Sequence, residues 1–133
     1  MKGIATRISK TLIPSSRLTC ADNSGAKIIM IINKRGKGGG RGGKLAKSGI
    51  GDIVTCSVKS GNPQYIKKKV QAVIIRQKTP IRRASGMRVR FEDNAAILIK
   101  EGNLPVGTEV KGPMAREVVE RYIKLAGIAS RVV

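Results

Sequence analysis

Short runs of alternating or continuous apolar residues predict a chain built mainly of β-strands. The run Lys27–Asn33 is rich in isoleucine and follows a turn-forming cluster, which is typical of a short buried strand. Asp52–Val58 alternates, so that Val54, Cys56 and Val58 share one face. The same criteria predict further strands at 17–21, 67–78, 87–91 and 94–99. Short strands joined by glycine- and proline-rich turns indicate a small β-barrel or sandwich.

The segment after residue 112 has a different period. Its apolar residues recur three and four positions apart, on one face of a helix: Ala115, Val118, Val119, Tyr122 and Ala126. Pro113 suits the first residue of a helix and Gly127 suits its C-terminal end. The sequence therefore predicts a helix from Pro113 to Gly127, with Glu117 and Glu120 facing solvent as partners of neighbouring basic residues.

Charge divides the chain into two parts. Its 133 residues include 27 Lys and Arg, 8 Asp and Glu and no His, which gives a formal charge of +19. Residues 1–91 hold 21 basic and 2 acidic residues, whereas residues 92–133 hold 6 of each. An excess of this size favours a polyanionic partner, and nucleic acid is the expected one. The neutral last third is expected to contact protein, through Arg116, Val119, Glu120 and Ile123.

Composition excludes several classes of function. Without His, the chain lacks Ser-His-Asp and Cys-His catalysis and the commonest metal ligand. Cys20 and Cys56 lie too far apart for a CxxC motif, so we expect two small core residues in a reducing, intracellular protein. The longest fully apolar run, Ile28–Ile32, is too short to span a membrane. We expect a cytoplasmic protein that is not an enzyme and needs no cofactor or metal.

Fifteen basic residues are predicted to contact nucleic-acid phosphates, because all of them lie in stretches without any acidic residue. They are Lys34, Arg35, Lys37, Arg41, Lys44, Lys47, Lys67, Lys68, Lys69, Arg76, Lys78, Arg82, Arg83, Arg88 and Arg90. The run Lys67–Lys69 is expected on both faces of a strand, although such a run can also serve only to protect a sheet edge. With one Phe, two Tyr and no Trp, stacking on bases is nearly absent. Recognition should therefore depend on shape and phosphate contact.

The glycine-rich segment 34–49 is predicted to be a projecting basic loop, whose glycines let the backbone approach phosphates. Its alternative is a solvated, disordered hairpin tip. Gly38–Lys44 fits the start of a P-loop, but Leu45 replaces the Ser or Thr that would hold Mg²⁺ and no helical pattern follows. A nucleotide-binding enzyme, testable by ATP binding that depends on Lys44, is therefore the weaker alternative. A DNA-compacting protein is the alternative within nucleic-acid binding.

The spacing of several motifs resembles one known family. The main match runs through Ala72–Ile75, Ser85–Gly86, Phe91, Asn94 and Ile97–Leu98. Further matches are Ala21–Ala26, Gly51–Asp52, Gly112–Pro113 and Arg116–Glu117. Together they resemble the universal large-subunit ribosomal protein number fourteen family, over nearly the whole chain. The basic glycine-rich loop and the run from Phe91 to Ala95 are similar to its archaeal and eukaryotic branch.

The resemblance implies a mainly β fold, a small five-stranded β-barrel with projecting basic loops and a short C-terminal helical region. As one domain, the chain would comprise an N-terminal extension at 1–16, the barrel at 17–112 and the helical segment at 113–133. The resemblance also implies a structural constituent of the large ribosomal subunit that binds rRNA and helps form an intersubunit bridge to small-subunit rRNA. Its other implied partners are neighbouring large-subunit proteins and an anti-association initiation factor. The implied location is the ribosome, in the cytoplasm.

Overall fold

The computed structural model describes residues 6–36 and 46–133. Nine strands occur there, two of them only two residues long. In chain order they are β1 (Arg17–Cys20), β2 (Ala26–Lys34), β3 (Ile53–Gly61), β4 (Lys69–Arg76), β5 (Ile81–Arg82), β6 (Arg88–Val89), β7 (Ala95–Ile99), β8 (Val110–Met114) and β9 (Ala129–Val132). A 3₁₀ turn lies at Glu101–Asn103, and the helices are α1 (Arg116–Arg121) and α2 (Ile123–Ala126).

Five of these strands close into a barrel in the order β1-β2-β3-β4-β7. The neighbouring pairs are antiparallel except β1 and β7, which run parallel and align Thr19 with Ala95. Closing the sheet leaves these five strands without an unpaired edge. The mainly β class and the five-stranded barrel are thus confirmed. β5 and β6 form a separate hairpin, and β8 pairs with β9.

The barrel interior is aliphatic. Along β3 the burial alternates as predicted, with Val54, Cys56 and Val58 fully buried. Every residue of β7 is buried, as expected for a strand covered on both faces. Cys20 and Cys56 are free and buried, which confirms their interpretation as core residues. Burial raises the pKa of each thiol to about 12, so neither is a reactive thiolate at neutral pH.

The C-terminal segment differs from the prediction of one helix that starts at Pro113. Pro113 lies in β8, where it aligns with Arg131 of β9 at an irregularity in the pairing. Gly112 before it needs to be glycine, because its φ is +81° and a Cβ there would lie 2.8 Å from Arg76 Nη1. The helical part begins at Arg116 and breaks at Tyr122, which has a φ of −127° and a ψ of 82°. The short helical region near the C-terminus and its predicted end at Gly127 are confirmed, and the single continuous helix from Pro113 is not.

The described residues were also compared with the requirements of a membrane-spanning helix and of a metal site. None of the helices at 6–36 and 46–133 is long and apolar enough to cross a membrane. Within the same ranges, no three His, Cys, Asp or Glu side chains gather where they could hold a metal ion.

Candidate nucleic-acid interface

Most of the predicted phosphate contacts lie at one end of the barrel, where β2 and β4 end and β3 and β7 begin. We call this the loop end. Lys34 ends β2, and its ammonium lies 2.8 Å from Asp52 Oδ2. Arg35 is exposed and donates to Gln71 Oε1 at 3.0 Å, and Lys47 is exposed just before β3. Lys37, Arg41 and Lys44 lie outside the described residues, as does the motif Gly38–Lys44.

The β5–β6 hairpin presents further cations at the loop end. It is fixed by the buried Ile81 and by a bond from Arg83 N to Met87 O at 2.9 Å, which closes its turn. Arg82 and Arg88 are exposed and directly opposite each other across the two strands. Like charges in this position are destabilising unless an anion lies between them. Exposed Lys78 and Arg90, on either side of the hairpin, extend the same positive surface.

The run Lys67–Lys69 lies at the opposite end of the barrel, which we call the lysine end. Only Lys69 belongs to β4, because Lys67 adopts a φ of +65° in the preceding turn. The prediction that all three lysines lie on strand faces was therefore wrong. All three are nevertheless exposed. They are separated from Lys78 by the whole of β4, whose 8 residues span about 26 Å.

The structure places Arg76 inside the protein. Its side chain is 7% exposed and forms a two-pronged ion pair with Asp93, at 2.8 and 3.1 Å. Nη1 also donates to the carbonyls of Lys111 and Pro113, at 2.9 and 2.8 Å. This guanidinium joins β4 to β8, and it is not presented to a ligand. We correct its predicted role from phosphate contact to internal tie.

Arg83 is the second arginine that the structure places inside. Its Nε donates to Glu117 Oε1 at 2.9 Å, and its Nη2 donates to the carbonyl of Val133 at 2.7 Å. Thr6 Oγ1 donates to the same Glu117 oxygen at 2.9 Å. Glu117 is 1% exposed, so the prediction that it faces solvent was wrong. This Arg83–Glu117 clamp ties the hairpin, α1 and both termini of the described chain together.

Two opposing effects act on Glu117. Burial alone would raise the pKa of its carboxyl, because the charged form loses solvation. The hydrogen bonds from Arg83 and Thr6 outweigh this effect, and the pKa lies below its usual value. Glu117 is therefore ionised at neutral pH, and Arg83 balances its charge.

Comparison with known proteins identifies the family of the chain. Residues 11–133 match the model of the family described as Ribosomal protein L14p/L23e. The chain belongs to this family. Over all 133 residues of both chains it is 48% identical to the large ribosomal subunit protein uL14 of Methanoregula boonei. The proteins of that name from Methanocella arvoryzae and Haloarcula marismortui are 47% and 41% identical over the same full length.

The family defines the class of protein. As a member of the L14p/L23e family, the chain is a structural constituent of the large ribosomal subunit. The family is a structural, non-enzymatic class, and its members are part of the ribosome. The resemblance noted in the sequence is thus confirmed, including the archaeal affinity.

The C-terminal residues predicted to contact protein divide into two groups in this L14p/L23e chain. Ile123 is 80% exposed, the largest fraction among the large hydrophobic side chains of the described residues. Arg116 and Glu120 are exposed and form an ion pair at 3.8 Å. Val119, in contrast, is partly buried and packs against the core. The exposed surface around Ile123 is the part of the segment that can meet another protein.

Proposed function

We propose that the chain binds large-subunit rRNA by phosphate and shape contacts and helps to form an intersubunit bridge to small-subunit rRNA. One observation carries the proposal. Nine of the predicted cations are exposed, and none forms an ion pair within the part of the chain that the structure describes. They are Arg35, Lys47, Lys67, Lys68, Lys69, Lys78, Arg82, Arg88 and Arg90.

Unpaired cations in this number indicate an external anion. The chain has only 8 acidic residues, and four of them already hold cations: Asp52, Asp93, Glu117 and Glu120. A polyanion relieves the mutual repulsion of the remaining cations and releases its own counterions, and both effects favour association. The opposed pair Arg82 and Arg88 gains most from this relief, because the two guanidinium groups share one face of the hairpin.

The aromatic residues support recognition by shape. Phe91 and Tyr122 are buried and Tyr65 is partly buried, and these are the chain's full set of aromatic side chains. None of these three aromatic side chains is therefore a fully exposed platform on which unpaired bases could stack. Contacts to phosphates and to the backbone of folded RNA remain as its means of recognition.

The division of the cations between two ends of the barrel supports a bridge. The loop end and the lysine end are separated by about 26 Å, the length of β4. One end can lie on large-subunit rRNA while the other reaches a second RNA. Exposed Ile123 supports a third contact, with a neighbouring large-subunit protein or with an anti-association initiation factor.

The proposal is tested by removing charge from the hairpin. We expect the combined change of Arg82, Arg88 and Arg90 to Gln to weaken binding to a large-subunit rRNA fragment. The slope of log affinity against log salt should fall by about 2.7, since each lost phosphate contact removes about 0.9 for duplex-like sites. Fluorescence anisotropy at several salt concentrations measures this slope.

A matched control removes the same charge elsewhere. Lys27, Lys100 and Lys111 are exposed and lie outside the predicted contacts, so their combined change to Gln should leave the slope nearly unchanged. An equal fall in both triple variants would contradict a specific interface. Tighter binding to duplex DNA than to the rRNA fragment at physiological salt would favour a DNA-compacting protein instead. Reduced association of the two subunits after Lys67, Lys68 and Lys69 are changed to Gln would support the bridge.

A further inference from the structure

Asp52 is the centre of a charge cluster at the foot of the glycine-rich loop. Its Oδ2 lies 2.8 Å from Lys34 Nζ and accepts a bond from Gly49 N at 3.0 Å. Its Oδ1 lies 3.8 Å from Arg121 Nη1. Lys34 ends β2 and Arg121 ends α1, so tertiary folding brings together two cations that are far apart in the sequence.

Exposed Lys10 is a third cation near the cluster, because two backbone bonds between Leu12 and Ser48, at 3.0 and 2.7 Å, hold its segment beside Gly49. Contact with the Lys34 ammonium lowers the pKa of Lys10, while the carboxylate of Asp52 acts in the opposite direction. Three positive groups therefore share one negative group, which leaves an excess of two positive charges. The side chains of Lys34 and Asp52 are only 14% and 11% exposed, so water screens the charges of this pair less than it would at an open surface.

Arg121 supplies an observation that is independent of charge counting. Its Nη1 donates to the carbonyl of Gly51 at 3.1 Å, and the Tyr122 hydroxyl donates to the same carbonyl at 2.9 Å. Its Nε atom is buried and finds no acceptor within residues 6–36 and 46–133. A buried donor without an acceptor is costly. Solvent does not reach Nε itself, but the Arg121 side chain as a whole is 28% exposed, and a tetrahedral oxyanion offers its open part several acceptors at once.

We propose that Lys10, Lys34 and Arg121 form a binding site for one phosphate group of an RNA backbone. Asp52 holds Lys34 and Arg121 in place before the RNA binds. The phosphate then balances the positive charge that Asp52 does not neutralise. The choice of RNA as the source of this phosphate rests on the proposed function. Lys10 and Arg121 are not among the fifteen residues that the sequence predicted, and Arg121 assigns one side of the C-terminal segment to RNA instead of protein.

Inorganic phosphate tests the site without any RNA. Followed by NMR, phosphate should shift the side-chain signals of Lys10, Lys34 and Arg121 along one saturable curve. Lys10→Gln should raise the dissociation constant at least threefold. The matched control is Lys27→Gln, because Lys27 is exposed at the other end of β2, about 23 Å from Lys34. It should leave the constant unchanged. Equal effects of the two variants, or shifts that never saturate, would overturn the site.

A second variant covers the possible loss of structure at Arg121. Arg121→Lys keeps the charge but removes the Nε donor and the planar group, so phosphate affinity should fall although the net charge is constant. Circular dichroism should show a native fold under the titration conditions. Unchanged affinity in this variant would contradict the role of the planar Arg121 guanidinium, and it would overturn the proposal as stated.

The rRNA fragment tests the source of the phosphate. Lys10→Gln should lower the slope of log affinity against log salt by about 0.9, and Lys27→Gln should not. If phosphate binds at the site but Lys10→Gln leaves the slope unchanged, the assignment to RNA is wrong while rRNA binding by the hairpin stands. If the wild-type protein does not bind the fragment at all, the proposed function fails, and the phosphate titration still decides whether the site exists.

Discussion

The surface of the β5–β6 hairpin and the buried Arg83–Glu117 clamp beneath it use arginine in opposite ways. On the surface, Arg82 and Arg88 are exposed, face each other and have no acidic partner among the described residues. One residue along the chain from Arg82, Arg83 is buried and bonded to Glu117 and the last carbonyl. The difference lies in whether a carboxylate is within reach. An arginine that meets a carboxylate inside the protein stabilises the fold, and an exposed one without such a partner is available for a ligand.

The two regions also depend on each other. A hairpin of two short strands is not stable by itself in water. Arg83 anchors its turn to α1, and the backbone of Arg82 bonds with Arg7 in both directions, at 3.0 and 3.3 Å. The buried arginine therefore fixes the position of the exposed ones. Each prediction below alters one side of this contrast.

The largest effect should follow from removing the acidic side of the Arg83–Glu117 clamp. Glu117→Ala leaves the Arg83 guanidinium buried without its counter-charge, and we expect a loss of about 3–5 kcal/mol in the free energy of unfolding. Urea denaturation followed by circular dichroism measures this loss as a lower midpoint at an unchanged slope.

A double variant separates charge from packing. Arg83→Met combined with Glu117→Leu replaces both ions with apolar groups of similar length, and such exchanges are often neutral or stabilising. We expect it to recover most of the stability that Glu117→Ala loses. It should still bind rRNA less tightly than the wild type if the clamp positions the hairpin. A double variant as unstable as Glu117→Ala would show that charge pairing is not the source of the loss.

Acid should weaken the clamp in a defined range of pH. The folded-state pKa of Glu117 lies below its unfolded value, so its contribution is fully present above about pH 4.5 and is lost as the pH falls through the folded pKa. The slope that one such proton adds is at most about 1.4 kcal/mol per pH unit. Unfolding of the wild type and of Glu117→Gln from pH 6 to pH 2 should reveal a smaller acid loss in the variant. Parallel curves would contradict this assignment.

At the lysine end we expect a small gain in stability. Neighbouring lysines about 7 Å apart repel each other by about 0.6 kcal/mol in water. The change of Lys67, Lys68 and Lys69 to Gln should therefore raise the midpoint of unfolding at low salt. The gain should vanish at 1 M salt, where the screening length is about 3 Å. A gain that persists at high salt would point to improved local packing instead of relieved repulsion.

The fold could be predicted where the signal is local. Alternation along β3 and the apolar run of β7 are visible in a few consecutive residues, and both strands were predicted nearly at their observed bounds. The prediction that a helix starts at Pro113 was wrong, because Pro113 aligns with Arg131 in β9, a segment 18 residues away. The number of strands in the barrel came from the family resemblance. The parallel closure of β1 on β7 has no local signal at all.

The sequence could predict most basic residues of the candidate site, but not which carboxylates they contact. The sequence identified which stretches are basic, and most of those cations are exposed. It could not show that Arg83 meets Glu117, 34 residues away, or that Arg121 and Lys10 converge on Asp52. One signal was available, since Val118, Tyr122 and Leu125 define a buried stripe on whose flanks Glu117 and Arg121 lie.

The smallest effect should come from the exposed ion pair on the same helix as Glu117. Arg116 and Glu120 are 57% and 55% exposed and 3.8 Å apart, four residues along α1. Exposed pairs at this spacing contribute about 0.3–0.5 kcal/mol, because water and salt screen them and both side chains lose conformational freedom. Glu120→Gln should therefore shift the urea midpoint only slightly, and not at all in 1 M salt. Glu117 and Glu120 share one short helix, so intrinsic helix propensity differs little between them. The loss in the free energy of unfolding could instead be as large in Glu120→Gln as in Glu117→Ala. Burial would then not decide the strength of these ion pairs, and the contrast between the exposed and the buried arginines would fail.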